Sequence, residues 1–159
     1  MFSPLNQLND ARSLFEHIDA DAQLRAQAAL LFEQTVRHPN PVLRRLLRNG
    51  KKHAMRSLAD LCCSASQQHY AGLQTVTIDQ IIGSENRTVE FDNRFTPQAE
   101  HLQGRWVSVA VAYFKGLTLP PIDLIQVGDE YYVRDGHHRI SVARTMGQTM
   151  ISALVTVWE

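Results

Sequence analysis

The chain has 159 residues, of which 44% are apolar and 20% are charged, and its 16 basic residues balance its 16 acidic ones. This length favours one core, or one small domain with an appendage, and the ordinary apolar content excludes a mainly disordered chain. No apolar run approaches the roughly 20 residues of a membrane span, and residues 1–10 lack the pattern of a secretory signal. The two cysteines, Cys62 and Cys63, are adjacent and offer no disulfide framework, so we expect a cytoplasmic protein without a membrane partner.

The neutral total conceals a difference in charge between the two halves. Residues 1–72 carry 9 basic and 6 acidic residues, whereas residues 73–159 carry 7 and 10. Much of the basic excess lies within residues 37–56, where no acid intervenes. Such a stretch resembles a nucleic-acid surface, and its candidate contacts are Arg44, Arg45, Arg48, Lys51 and Lys52. No aromatic residue is interleaved to stack on bases, so a solvated helix face is the favoured interpretation and nucleic acid the less favoured one.

Residues 1–72 are predicted to form an all-helical N-terminal module. Apolar residues recur at steps of three and four over residues 21–36, which predicts the first helix. A second helix is predicted around residues 42–49 and a third over about residues 51–69. The module carries no catalytic pattern, and a homo-oligomer formed through these helices is the protein partner that we expect.

Residues 73–159 are predicted to form a small α+β domain. Alternating apolar residues predict a strand over residues 74–78, and a polar loop follows over residues 83–87. Thr96-Pro97 predicts the start of a helix that runs to Gly116. The remaining elements are a strand over 122–127, a two-residue turn at Gly128-Asp129, a strand over 130–134, a helix over 137–146 closed by Gly147, and a strand over 150–158.

The segment Asp135-Gly136-His137-His138-Arg139 carries the strongest chemical signal. It ends a strand in a tight turn and opens a helix, whose first N–H groups lack partners and favour an anion. Gly136 removes the Cβ that would block close approach to the backbone, and Arg139 offers a planar fork suited to phosphate oxygens. His137 and His138 add donors that become cationic near neutral pH. We therefore predict a phosphate or carboxylate cradle; the structural alternative is an ion pair between Arg139 and Asp135.

Residues 74–158 resemble the domain shared by the N-terminal region of ParB partition proteins, sulfiredoxin and the free serine kinases. The shared order is a strand, a loop with a polar functional residue, a helix, a proline-led strand, a hairpin and a Gly-x-x-Arg turn that opens a helix. The form Asp-Gly-His-His-Arg is most similar to that of the free serine kinases. His137 stands where sulfiredoxin has its cysteine, which argues against sulfinic acid reduction. The resemblance implies a ParB/sulfiredoxin-like small mixed sheet with helices.

The resemblance also implies roles for particular residues. In this superfamily the Gly-x-x-Arg turn contacts nucleotide phosphates, which implies that Gly136, His137, His138 and Arg139, together with Arg87, bind ATP, ADP or CTP with Mg²⁺. The segment that ends at Glu85 is similar to the kinase segment whose final glutamate is the general base toward the serine hydroxyl. Three residues would then take part in catalysis: Glu85 as base, Asp135 as the residue that orients the turn or the magnesium water shell, and His138. No cage of protein ligands around a metal ion is expected.

Three functions follow from these observations. The leading hypothesis is a nucleotide-binding domain that acts as an ATP- or ADP-dependent phosphotransferase. The second is a nucleotide switch without turnover, in which nucleotide binding changes how the N-terminal helices pack or dimerise. The third is a nucleic-acid-binding or nuclease-like protein that clamps the nucleic-acid backbone with its basic stretch.

Overall fold

The computed structural model describes residues 4–36, 54–61 and 67–159, with side chains described from residue 17 onward. The predicted helix over residues 42–49 lies outside these ranges. So do the candidate nucleic-acid contacts and both cysteines: Arg44, Arg45, Arg48, Lys51, Lys52, Cys62 and Cys63. Within the described ranges, the α-helices are α1 (Pro4–Val36), α2 (Gln103–Phe114) and α3 (His137–Thr145). None of the helices described is long and apolar enough to cross a membrane.

Six strands of the described chain form one mixed sheet. They are β1 (Arg56–Ser57), β2 (Gln68–Thr77), β3 (Ile81–Ser84), β4 (Ile122–Val127), β5 (Glu130–Asp135) and β6 (Met150–Trp158). The strand order is β1-β3-β5-β4-β6-β2. The β1–β3, β3–β5 and β4–β6 pairs are parallel, whereas β4–β5 and β2–β6 are antiparallel. A mixed sheet combined with helices confirms the predicted α+β class.

The parallel pairing of β3 with β5 decides where the functional segments meet. Ser84 at the end of β3 pairs with Val133 in β5, so both strands end at the same edge of the sheet. The chain leaves β3 into the loop that begins at Glu85, and it leaves β5 through Gly136 into α3. The loop and the start of the helix therefore lie side by side, although about 50 residues separate them in the sequence.

The C-terminal part of α1 is anchored on the other two helices by aromatic packing. Trp106 in α2 is fully buried and meets the ring of Phe32 in α1 edge to face, with the ring centroids 5.6 Å apart. The indole Nε1 of Trp106 donates a hydrogen bond of 2.9 Å to Ser141 Oγ in α3. One side chain thus ties together three helices, and it does so by burying a large ring whose polar atom is satisfied.

The predicted helix over residues 51–69 is wrong in the part that the structure describes. Arg56–Ser57 form β1, a 3₁₀ turn follows over Leu58–Asp60, and β2 already begins at Gln68. Met55 and Leu58 suggested one helical stripe by their spacing, but they are buried in two separate apolar clusters. The extended backbone between them lets neighbouring residues reach different parts of the core, which a helix face does not allow.

Two further boundaries also differ from prediction. Gly83 and Ser84 belong to β3 and not to a loop. The helix predicted from Thr96-Pro97 begins at Gln103, after a 3₁₀ turn, because Pro97 instead forms a bridge with Phe91. In contrast, both strands of the hairpin, the helix closed by Gly147 and the last strand are confirmed. β2 runs across residue 72, and the division into two modules at that point stays a prediction.

Candidate functional site

Gly136 is required at the start of α3 for its conformation and for its close packing. It is the N-cap residue of the helix and has φ of +110°, a region that side chains with a Cβ rarely adopt. A Cβ at this position would lie 2.4 Å from Ile122 Cγ2. The open side of the glycine therefore faces β4, and the expectation that the missing Cβ makes room for a ligand is wrong.

The first turn of α3 has no side-chain cap. Ile140 is the first residue whose N–H bonds back within the turn, to the Gly136 carbonyl at 3.0 Å. By helix geometry the N–H groups before it have no partner inside the helix and carry the positive end of the dipole. The predicted anion-binding geometry of the backbone is therefore present at residues 137–139.

His137 connects this helix to the end of β3. Its ring is only 4% exposed, and its Nε2 lies 2.7 Å from Ser84 Oγ. Ser84 Oγ also accepts the backbone N–H groups of Asn86 at 3.2 Å and Arg87 at 3.0 Å. The Ser84 hydroxyl has two acceptors within reach of its own proton, this Nε2 and the Val133 carbonyl at 3.5 Å. This serine fixes the loop after β3 against the start of the helix.

His138 is also buried, and its Nδ1 has no hydrogen-bond partner among the described residues. The ring is 8% exposed and meets Phe91 edge to face at 5.3 Å, while His137 stacks on the same phenyl ring at 5.6 Å. The two adjacent histidines thus pack against one aromatic residue. A buried polar atom without a partner is costly unless a ligand or water satisfies it.

Burial lowers the pKa of both histidines to about 4. For His137 the charge of Arg87 is the next cause, and for His138 the charges of Arg105 and Arg87 follow burial. Both rings are therefore neutral at pH 7. The expectation that they become cationic near neutral pH is wrong, because a cation would have to form away from water and beside other cations.

Arg139 makes contacts within the protein, including the ion pair with Asp135 that the sequence offered as the alternative to phosphate binding. Its Nη1 donates to the carbonyl oxygens of Pro120 and Pro121, both at 2.7 Å, and its Nη2 donates to Asp135 Oδ2 at 2.5 Å. The side chain is 15% exposed. These contacts fasten α3 to the chain that enters β4, so the guanidinium does not face a phosphate site as the sequence suggested.

Glu85 lies at the sheet edge that the start of α3 shares. Its N–H donates to the Val133 carbonyl at 2.9 Å. Its Oε2 accepts from Arg134 Nε at 3.3 Å and from Asn86 Nδ2 at 3.4 Å. These contacts place Glu85 beside Val133 and Arg134, which precede Asp135 in β5. The half-exposed Arg87 of the same loop pairs with Glu90 at 2.9 Å.

The sequence did not identify Ser84 or Arg134 as residues of this site. A serine often accepts the N–H groups of residues two and three positions later in a turn, and this is the only sequence signal that Ser84 gives. The signal is weak because many serines show it. Phe91 and Arg134 reach the site through tertiary packing. In the described ranges no group of three or more His, Cys, Asp or Glu side chains is placed to hold a metal ion.

No known protein family matches the chain, and no curated protein sequence matches it. Among solved structures, the crystal structure of sulfiredoxin from Arabidopsis thaliana is similar, with a TM-score of 0.40 and 20% identity. The similarity covers 52% of this chain and 82% of that one. At this level it transfers no residue role and no activity. The architecture itself defines the chain as an α+β protein with a six-stranded mixed sheet.

Proposed function

We propose that this protein binds nucleotide phosphates at the start of α3. The observation that carries the proposal is an uncapped helix start beside a buried His138 Nδ1 that lacks a partner among the described residues. Helix N–H groups bind phosphate oxygens well, and a neutral imidazole donates one more hydrogen bond when Nδ1 bears the proton. A phosphate would satisfy both at once.

Two arginines supply positive charge at this site in the proposal. Arg87 lowers the pKa of both histidines and Arg105 that of His138, so the charges of both side chains act at the helix start. Arg87 is held in place because its N–H bonds to Ser84 and its guanidinium to Glu90. Arg105 is exposed and forms no ion pair with any residue that the structure describes. Arg139 then has a positioning role, since it holds the turn that presents the N–H groups.

In the same proposal, Glu85 is the general base of a phosphotransfer reaction. Its Oε2 is bonded to Arg134 and Asn86, whereas Oε1 makes no hydrogen bond within the described chain. Oε1 would take the proton of an acceptor hydroxyl while the helix start stabilises the charge on the phosphoryl group. Mg²⁺ would be held chiefly by phosphate oxygens and water, as it usually is with nucleotides.

Calorimetry with ATP, ADP and CTP in the presence of Mg²⁺ tests the binding. Arg87→Gln should weaken the affinity for the bound nucleotide about tenfold, because a charge-assisted contact is lost. Arg56→Gln is the matched control, since Arg56 is also an exposed arginine paired with a glutamate, Glu130 at 3.1 Å, and it should leave the affinity within about twofold. The absence of heat with all three nucleotides, or equal effects of the two variants, would refute the proposal.

Turnover is tested separately by Glu85→Gln. This variant should abolish nucleotide consumption in the presence of an acceptor while keeping nucleotide affinity within about threefold, since the amide retains the shape but not the basicity. Unchanged turnover would remove Glu85 from the mechanism. Tight nucleotide binding without turnover in the unaltered protein would favour the switch, for which the Trp106–Ser141 bond provides a path from α3 to α1.

A further inference from the structure

A cavity of about 360 Å³ lies beside the C-terminal half of α3, away from the residues of the proposed nucleotide site. Its walls come from the end of α1, the turn after β2, the loop over residues 94–96, and the segment that runs from the last two turns of α3 to Thr149. Neither Glu85 nor any of residues 136–139 lines it. This volume is at the lower end of small-molecule sites, which suits a compact ligand of a few polar groups.

Arginine side chains dominate the charge of this cavity. Arg94 and Arg144 both line it, and Asp79 is the single carboxylate residue among the lining residues described. Arg144 Nη2 donates to Asp79 Oδ1 at 2.7 Å, and the carboxylate side chain is 90% exposed, which places it toward solvent. Arg144 Nε is buried and has no hydrogen-bond partner among the described residues. Arg94 is exposed and forms no ion pair in the described chain, so the cavity has a net positive charge.

A strained residue lies in the wall of the cavity. Phe95 is buried and has φ of +60°, a conformation that is uncommon for a bulky residue and that concentrates at functional sites. Asp92 Oδ1 holds it there by accepting the N–H groups of Arg94 at 2.9 Å and Thr96 at 2.8 Å. The Arg144 guanidinium lies 6.0 Å above the phenyl ring. The strain therefore places Arg94 and Thr96 at the cavity wall next to Arg144.

Hydroxyl groups complete the lining. They belong to Thr35, Thr96, Ser141, Thr145 and Thr149. Ser141 Oγ accepts the Trp106 N–H, and its own proton has no acceptor among the described residues. Thr35 Oγ1 and Thr145 Oγ1 donate to the carbonyls of Leu31 at 2.8 Å and Ser141 at 2.9 Å, so these two hydroxyls offer a ligand only an acceptor oxygen. Donors for a ligand come from the remaining hydroxyls and from the two guanidinium groups.

We propose that this cavity binds a small organic phosphate, a second ligand that is independent of the nucleotide site. The phosphate lies between Arg94 and Arg144, whose planar groups suit phosphate oxygens. The hydroxyl-bearing part of the ligand faces the threonine and serine side chains. The lining residues come from four separate segments, so the site exists only in the folded chain.

Amide chemical shifts measured by NMR with glycerol 3-phosphate, inorganic phosphate and glycerol test this proposal. We expect saturable shifts at residues 94–96 and 144–149 with glycerol 3-phosphate, weaker binding of inorganic phosphate and none of glycerol. Arg94→Gln should weaken the affinity for glycerol 3-phosphate about tenfold. Arg25→Gln is the matched control: it removes the same charge about 15 Å from Thr35 along α1 and should change the affinity less than twofold.

Arg144→Lys is a second variant, which keeps the charge but loses the planar fork and should also weaken binding severalfold. Its thermal unfolding curve shows whether the fold is kept. No saturable shift up to about 20 mM glycerol 3-phosphate would overturn the proposal, and so would an unchanged affinity in Arg94→Gln. Shifts confined to residues 136–139 would also overturn it, since the ligand would then occupy the proposed nucleotide site.

Discussion

Two regions of the molecule are built from the same residue types in different surroundings. One is the start of α3, and the other is an exposed border that consists of β1 and the turn between β4 and β5. Each has a glycine with positive φ, an arginine paired with a carboxylate and a serine that accepts an N–H two residues ahead. At the helix start these are Gly136, Arg139 and Ser84, and at the border they are Gly128, Arg56 and Ser57. Ser57 and Ser84 are even direct neighbours in the β1–β3 pairing.

The two regions differ in burial and in how many contacts each side chain shares. Ser84 is fully buried and Arg139 is 15% exposed, whereas Arg56 is 64% exposed. Water replaces a lost contact of the exposed Arg56, whereas it does not readily replace the contacts of the buried Ser84 and of the largely buried Arg139 side chain. The difference teaches that residue type alone does not set the energetic weight of a contact. The following predictions test this comparison in order of the expected effect.

The largest difference is expected between Gly136→Ala and Gly128→Ala. Alanine at 136 combines an unfavourable φ of +110° with a Cβ 2.4 Å from Ile122 Cγ2, and we expect a loss of about 4 kcal/mol in the free energy of unfolding. At 128 the φ is +60° and no atom lies within 4 Å of the added Cβ, so we expect a loss of about 1 kcal/mol. Urea unfolding followed by circular dichroism measures both. Equal losses would contradict the comparison.

The second prediction concerns pH. The folded-state pKa of His137 and of His138 is lowered to about 4 from an ordinary value of 6.5, so folding favours the neutral rings. Their contribution to stability is complete above pH 6.5 and is lost as the pH falls toward 4. Between pH 7 and pH 5 we expect each histidine to reduce the free energy of unfolding by about 2 kcal/mol.

Replacing each histidine by glutamine, which does not titrate, shows which histidine causes this pH dependence. His138→Gln should remove about half of the loss between pH 7 and pH 5, and NMR titration of the imidazole protons gives the pKa directly. The explanation fails if His137→Gln and His138→Gln both keep the full pH dependence. It also fails if either ring titrates near pH 6.5 in the folded protein.

The third comparison is between the arginines. Arg139→Gln should lower the free energy of unfolding by about 2 kcal/mol, chiefly because two proline carbonyls lose a charged donor whose own side chain is only 15% exposed. Arg56→Gln should lower it by less than about 0.5 kcal/mol, since its pair with Glu130 is exposed. Added salt should weaken the Arg56–Glu130 ion pair more than the bonds that Arg139 donates to the two uncharged proline carbonyls. A larger loss in the free energy of unfolding for Arg56→Gln than for Arg139→Gln would contradict the comparison.

The serines give the smallest expected difference. Ser84→Ala removes the partner of His137 Nε2 and the acceptor of two N–H groups, which should cost about 1.5 kcal/mol. Ser57→Ala removes one bond of 3.3 Å at a partly exposed 3₁₀ turn, for which we expect about 0.5 kcal/mol. Hydrogen exchange should also accelerate at Asn86 and Arg87 in the Ser84 variant only. Protection that is unchanged there would show that Ser84 does not hold the loop.

The sequence predicted the C-terminal part of the fold well because its signals are local. Gly128-Asp129 fixes a two-residue turn between alternating strands, and Gly147 with φ of +75° ends α3. The same reasoning failed in the described parts of residues 51–69, namely 54–61 and 67–69, and at β3. There the apolar residues are buried in separate places of the core, and a strand of four residues leaves almost no periodic signal.

For the candidate site, the resemblance implied that Glu85 and residues 136–139 act together. The parallel pairing of β3 with β5 is what the structure adds, since Glu85 follows one strand and Gly136 follows the other. The roles of single side chains were less predictable. The sequence allowed Arg139 either to contact a phosphate or to pair within the protein. In the structure it bonds internally, because β4 brings the carbonyls of Pro120 and Pro121 close to it. The neutral state of His138 depends on Phe91 and Arg105, which are distant in the sequence.

The sequence by itself determined the order of turns, strands and the helix after residue 120, and it identified the glycine turn as the start of α3. These features depend on backbone preferences that each residue carries with it. The tertiary structure alone decided that the histidines stay neutral and that Ser84 holds the adjacent loop. It also decided that Arg94 and Arg144 share a cavity. Burial and charge proximity belong to pairs of distant residues, and only the folded chain creates those pairs.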